Sequence, residues 1–216
     1  RKFFRANFTK HILSKLHKAF GSNLRYMITG GARLEPKVAR DLFKWGFTVL
    51  EGYGLTETSP VVTINPPGKP RIGSVGQSLP DVEVEIINPD NQGIGEVAIK
   101  GPNVMLGYYQ LPEETKKVIR EGWFYSGDLG YLDREGYLYL RGRKDELIVL
   151  SSGKKVNPEE IEKHYSVSPF IKEICVFASR VSGFIQESRQ LTAVVVPNAE
   201  YFRKIGQSNI EDNIKW

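Results

Sequence analysis

Residues 47–51, which read as a strand, deliver into Gly52-Tyr53-Gly54-Leu55-Thr56-Glu57-Thr58, and this junction constrains the fold more than any other stretch. Upstream, residues 24–29 read as a buried strand that runs into Gly30-Gly31. Between the two, Pro36 suits the first position of a helix that stops near Trp45-Gly46. Strand, loop, helix, strand, loop is the order of an α/β unit, and ligands of such sheets sit in the loops at the strand ends. The residues of the second loop suit that place. Tyr53 offers a flat face to a nucleobase, Thr56 a hydroxyl to a phosphate oxygen, and Glu57 a carboxylate to a hard divalent cation. Gly52 and Gly54 let the backbone approach a ligand closely. A surface turn explains a Tyr and a Glu in any short piece of this run, but not seven residues in this order.

The texture changes twice along the chain, which predicts an α/β plus α+β architecture in three parts. Residues 1–65 form the end of an α/β subdomain, 66–142 a small antiparallel β-barrel, and 143–216 a separate α+β lobe. Ahead of the first strand, Phe4, Phe8, Ile12, Leu16, Ala19 and Phe20 recur at helical spacing, and Gly21 supplies a stop. That amphipathic helix reads as a scaffold packing on a sheet, with a membrane-surface role left open. From Pro66 onward prolines and glycines become frequent. Strands are expected at 82–87 and 96–100, then a hairpin of 129–132 and 137–140 around Asp133-Arg134-Glu135-Gly136. After Gly142, a strand at 146–150 turns at Ser151-Ser152-Gly153 and returns. Asn157 then caps a helix with Pro158 at its first position and Glu160 placed for a capping box. Strands at 174–178 and 191–196 and a basic helix follow.

Composition narrows the setting. No apolar run approaches bilayer-spanning length and no secretory signal opens the chain; a first residue of Arg1 suggests a piece of something longer. Cys175 is the single cysteine, so an internal disulfide is impossible and a reducing cytosol fits best. Its apolar strand predicts a buried packing residue. The net charge of +5 gathers near the start, at Arg1, Lys2, Arg5, Lys10, Lys15, Lys18 and Arg25. No base-reading motif accompanies it, so nucleic acid is not an expected partner. A cytoplasmic protein is expected, with peripheral membrane contact open and the oligomeric state unread. His11, His17 and His164 lack metal-ligand spacing.

Two further constellations bear on the loop. In Gly122-Trp123-Phe124-Tyr125-Ser126-Gly127-Asp128-Leu129-Gly130, a carboxylate between small residues can accept two hydrogen bonds from a vicinal diol such as a ribose. In Gly142-Arg143-Lys144-Asp145-Glu146-Leu147-Ile148, the arginine can donate to ribose or phosphate oxygens. Each alone reads as a turn or a surface ion pair. Together, in this order and with Gly73-Ser74-Val75-Gly76, Gly101-Pro102-Asn103-Val104-Met105-Leu106-Gly107-Tyr108-Tyr109 and Asn157-Pro158-Glu159-Glu160, they resemble the adenylate-forming superfamily of acyl-CoA synthetases, luciferases and adenylation domains. The resemblance covers residues 24–197.

The resemblance implies an ATP-dependent ligase that forms an acyl-adenylate and then a thioester, with ATP, magnesium and CoA as cofactors or co-substrates and a fatty acid as the acyl source. It places Tyr53 against adenine, Thr56 on the α-phosphate and Glu57 on the magnesium ion, the last two as catalytic residues. Gly31, Ala32, Gly52 and Gly54 would line the nucleotide and acyl side, Asp128 would take the ribose hydroxyls, and Arg143 would reinforce it. Asp145 falls at the family's hinge, and Gly153 along its pantetheine channel, although a plain hairpin glycine also explains Gly153. Val149 and the extra residue before Gly153 look like the long-chain fatty acid subgroup. The family's phosphate loop and its late catalytic lysine have no counterpart in these 216 residues, so the chain alone is expected to be inactive. An acyl-carrier-protein acceptor, or a non-catalytic nucleotide-binding module, are the competing readings.

Overall fold

In the computed structural model, which describes residues 14–21, 23–150, 152–182 and 187–206, the chain divides into two units, Arg1–Arg141 and Gly142–Trp216. The first unit begins with α1 (Ser14–Phe20), which buries no residue fully. It docks through His17, whose ring stacks on Phe47 at 4.3 Å and whose Nε2 donates to the Trp45 carbonyl at 2.7 Å. Phe4, Phe8, His11 and Ile12 lie outside the described residues.

Strand β1 (Met27–Thr29) runs parallel to β2 (Val49–Tyr53), joined by α2 (Pro36–Lys44) with proline in its first turn. Two short antiparallel strands, β3 (Thr63–Ile64) and β4 (Gln77–Ser78), complete a four-stranded sheet in the order β1-β2-β3-β4. Pairing of Gly52 with Ile64 and of Tyr53 with Thr63 carries β2 two residues past the expected end of the strand. Gly52 and Tyr53 are therefore strand residues, and the turn begins at Gly54. Hydrogen-bonding partners supplied by β3 override the local preference of glycine for a loop.

A second sheet follows: β5 (Glu83–Ile87), β6 (Gly95–Lys100), then α3 (Pro112–Val118), β7 (Ile119–Arg120), β8 (Trp123–Leu132) and β9 (Leu138–Arg143). The order is β5-β6-β8-β7, with β9 also on β8, so the antiparallel sheet curls into a half-barrel in which β5 pairs with β6 alone. The expected hairpin around Asp133 is present, its carboxylate accepting from the Glu135 and Tyr137 amides at 2.9 and 3.0 Å. One core serves both sheets: Tyr53 and Val62 pack with Val82, Val97, Ile99, Phe124 and Leu138. Helix α3 has no apolar stripe to announce it. Its Glu113–Lys116 and Glu114–Lys117 pairs, at 2.8 and 2.6 Å, suit an exposed helix of about two turns.

The second unit holds a hairpin of β10 (Ile148–Val149) and β11 (Lys155–Val156), helix α4 (Pro158–Ser166), the long antiparallel pair β12 (Ile171–Ser182) and β13 (Glu187–Pro197), and α5 (Ala199–Lys204). Asn157 caps α4 as expected, but its Oδ1 accepts from the Glu159 amide at 3.0 Å rather than from Glu160. Glu162 ties α4 to β12 by accepting from the Val176 amide at 2.7 Å. Cys175 corrects the sequence reading: it is exposed. Side chains alternate across a strand, and Val176, not Cys175, is the buried neighbour. Among the described residues no helix is long and apolar enough to cross a membrane.

Candidate functional site

The parallel pairing of Thr29 with Glu51 brings the ends of β1 and β2 side by side. A Cβ on Gly30 would lie 3.3 Å from the Gly52 carbonyl oxygen, so the two backbones pass closely and a side chain there would be tight. Gly31, at φ +77, and Ala32 follow on an exposed loop. Beyond Tyr53 the chain turns sharply. A Cβ on Gly54 would lie 1.7 Å from the Pro60 carbonyl oxygen, which only glycine avoids. The short 3₁₀ turn Thr56–Thr58 then presents Thr56 to solvent and Glu57 half-buried, while Thr58 is fully buried. The Thr58 hydroxyl accepts from the Leu55 amide at 2.9 Å and fixes the turn.

Asp128 reaches this turn from a sequence distance of 75 residues. The Tyr53 hydroxyl donates to Asp128 Oδ2 at 2.5 Å. A bulge in β8 accounts for the placement. Glu96 pairs with Leu129 and Ala98 with Tyr125, so Ser126, Gly127 and Asp128 all stand opposite Val97. Gly127, at φ +73, takes the left-handed conformation that lets the strand bow outward. The buried Ser126 hydroxyl donates to the Val97 carbonyl at 2.8 Å and accepts from the Asp128 amide at 3.1 Å, which pins the bulge. A bulge of this kind re-aims a side chain that regular pleating would point elsewhere. By sequence Ser126-Gly127-Asp128 is a loop-like stretch; in the fold it is a distortion inside a ten-residue strand.

Glu57 has a partner that sequence reasoning missed. Tyr108 donates to its Oε1 at 3.0 Å across 51 residues. Tyr108 sits inside the Gly101–Tyr109 stretch, but no local signal says which loop it meets. Among the described residues there is no group of three or more His, Cys, Asp or Glu that would hold a metal ion by itself. A lone half-buried carboxylate still fits magnesium, which keeps several waters and leans on substrate phosphates.

Glu51, one residue before Gly52, is buried, and burial raises its carboxyl above the usual carboxylate range. Hydrogen bonds from the Gly73 and Leu34 backbone and the charge of Arg33 oppose that rise. A raised folded value means that the folded state holds its proton more tightly than the unfolded chain, so stability falls as pH rises through the folded value. Glu51→Gln is therefore expected to melt higher than the wild type at neutral pH. The gap should close as pH falls toward the ordinary carboxylate range, a trend that thermal melts from pH 4 to pH 8 would read.

Arg143, Asp145 and Gly153 belong to the second unit. Arg143 Nε donates to Asp145 Oδ1 at 3.0 Å. Gly153 stands at φ +79 in the β10–β11 turn, where an added Cβ would meet nothing within 4 Å. Its backbone conformation, rather than crowding within the unit, is what requires glycine. The first unit thus brings together Tyr53, Asp128, Gly52, Gly54, Thr56 and Glu57, with Gly31 and Ala32 on the adjoining loop.

Residues 3–109 match a family described as AMP-binding enzyme, and residues 145–215 match AMP-binding enzyme C-terminal domain. A chloroplastic long-chain-fatty-acid–[acyl-carrier-protein] ligase of Arabidopsis thaliana is 33% identical over 223 residues, covering 95% of this chain and 30% of that protein. A long-chain-fatty-acid–CoA ligase of Escherichia coli is 33% identical over 218 residues, 88% of this chain and 39% of that one. The crystal structure of ATP-bound MatB from Rhodopseudomonas palustris superposes with a TM-score of 0.71 at 35% identity, covering 89% of this chain and 40% of that chain. The chain thus spans between 30% and 40% of the length of these relatives.

Proposed function

The chain belongs to the adenylate-forming AMP-binding enzymes, and from that premise we propose that it is part of an ATP-dependent fatty acid–CoA ligase. In such an enzyme a carboxylate attacks the α-phosphate of ATP, forming an acyl-adenylate as pyrophosphate leaves, and a thiol then takes the acyl group as AMP leaves. The hydrogen bond from Tyr53 to Asp128 at 2.5 Å carries this reading, because it unites two motifs that lie 75 residues apart. An aromatic face for the base and a carboxylate for the ribose diol then stand side by side. Thr56, exposed on the adjoining turn, would face the α-phosphate, and Glu57 would hold magnesium, which neutralises charge developing on the phosphates. Gly31 and Ala32 would border the nucleotide with backbone. Arg143 would add a donor to the ribose, and Asp145 would act as the hinge, with Gly153 beside the pantetheine arm.

Residues 1–65, 66–142 and 143–216 would then be the end of the α/β subdomain, the β-barrel subdomain and the mobile lobe of that enzyme. Long-chain acids are the favoured substrates on the strength of Val149 and the spacing to Gly153. The acceptor is a thiol of CoA or of an acyl carrier protein. Relatives of equal identity, one named for each acceptor, support both.

Pyrophosphate release with ATP, magnesium and palmitate tests the reading. The full-length protein is expected to turn over, and the 216-residue chain to show none above background, since these residues include no phosphate-gripping loop with its lysine. Failure of the full-length protein with fatty acids of every chain length would overturn the fatty-acid assignment. Robust turnover by the 216 residues would overturn the expected inactivity.

A further inference from the structure

We propose that Tyr108 is a positioning residue for Glu57, and that the 103–108 loop sets the working geometry of the Thr56–Thr58 turn; the inference rests on the reading of Glu57 as a cation ligand. The turn is a single 3₁₀ segment, and Glu57 on it is half-buried, so little in its own element fixes three side-chain rotors. The 103–108 loop supplies the restraint at both ends of the residue. Met105 donates its amide to the Glu57 carbonyl at 2.8 Å, and the Tyr108 hydroxyl donates to Glu57 Oε1 at 3.0 Å. Asn103 Nδ2 holds the flanks, donating to the Thr58 carbonyl at 3.1 Å and the Val61 carbonyl at 2.9 Å.

Tyr108 is itself anchored. Its amide donates to the Thr115 hydroxyl at 2.9 Å, and that hydroxyl donates to the Leu111 carbonyl at 3.0 Å at the start of α3. A side chain on Gly107 would press within 2.7 Å of Thr115 Cγ2, so glycine there permits the close approach. The result is a relay from α3 through Thr115 and Tyr108 to the carboxylate. A phenol that donates to one carboxylate oxygen does not compete for a cation, since it brings a proton rather than a lone pair to the site. It fixes the carboxylate plane and hence the direction of the other oxygen. A cation held by few protein ligands depends strongly on such orientation, and loss of the partner commonly costs about tenfold in metal affinity.

The test uses the full-length protein with Mn²⁺ as a paramagnetic probe, its binding in the presence of ATP read by electron paramagnetic resonance. Tyr108→Phe is expected to weaken Mn²⁺ binding roughly tenfold while leaving ATP affinity in EDTA unchanged. Thr115→Val should move Mn²⁺ binding in the same direction by a smaller factor, and Thr115→Ser, which keeps the hydroxyl, should restore it. A merely structural role would lower ATP affinity in EDTA to the same extent as Mn²⁺ affinity, and that outcome overturns the proposal. So does a Tyr108→Phe protein that binds Mn²⁺ as the wild type does. If the wild type with ATP takes up no Mn²⁺, the functional reading of Glu57 fails and the inference falls with it.

Discussion

Gly76→Ala is expected to unfold the first unit rather than loosen it. Gly76 stands at φ +92, where an L side chain costs about 1–2 kcal/mol from its own backbone alone. Contact costs more. An added Cβ would lie 1.9 Å from the Ile64 carbonyl carbon, 2.1 Å from its oxygen and 2.2 Å from the Asn65 nitrogen. These are main-chain atoms, so no rotamer change relieves the overlap. Relief requires parting β3 from β4, which pair at Ile64 and Gln77. It also requires breaking the lock around Ser74, a residue with no exposed surface. That hydroxyl donates to the Leu138 carbonyl at 3.0 Å and accepts from the Gly76 amide at 2.9 Å, while Leu138 donates to the Gly76 carbonyl at 2.8 Å. Several buried bonds at about 1 kcal/mol each, added to the backbone strain, bring the loss to roughly 4 kcal/mol or more. That approaches the whole stability of many domains. Gly93→Ala is the control: it shares a positive φ of +79, but its Cβ would meet nothing within 4 Å. Denaturant melts should place Gly93→Ala within about 1–2 kcal/mol of the wild type. Equal losses for the two variants would show that backbone conformation, not contact, sets the cost at Gly76.

The same lock shows what a sequence can and cannot disclose. Strand periods, Pro36 and Pro158 at helix starts, the Asn157 cap and the Asp133 turn are local, and each is legible because the residue that signals the feature also makes its bonds. What is not legible depends on partners outside the segment that carries the signal. Tyr53 joins a strand because residue 63 pairs with it, and Ser126–Asp128 remain within a strand because Val97 accepts the Ser126 hydroxyl. Short polar runs that read as turns are absorbed into strands by such pairings. Cys175 is misplaced by sequence for a related reason: an apolar strand does not reveal which of its two faces a helix will cover. The recognition motifs themselves are legible as words. That Tyr53 and Asp128 touch, and that Tyr108 meets Glu57, are facts of tertiary geometry.

Asp128→Ala in the full-length protein is expected to weaken ATP binding about a hundredfold by calorimetry, with little change in the melting temperature. Two ribose hydroxyls donating to an ionised carboxylate contribute a net of about 1.5 kcal/mol each, and about 2.7 kcal/mol corresponds to a factor of a hundred. The fold should tolerate the change because Asp128 is only half-buried and the bulge is pinned through Ser126, not through the carboxylate. Two variants of Tyr53 separate the roles of ring and hydroxyl. Tyr53→Phe removes the donor to Asp128 but keeps the aromatic face, so affinity should change by less than about threefold if stacking is the ring's contribution. Tyr53→Leu removes the aromatic face while keeping apolar volume in the core that Tyr53 shares with Val62 and Phe124, and should cost about 1–3 kcal/mol of ATP binding, the range for a base stacked on an aromatic side chain. If Asp128→Ala binds ATP as the wild type does, the carboxylate does not grip the ribose, and the hydrogen bond at 2.5 Å serves packing alone. If Tyr53→Phe is as damaging as Asp128→Ala, the bond itself is the functional element, because the phenol would then be needed to hold the carboxylate in reach of the sugar.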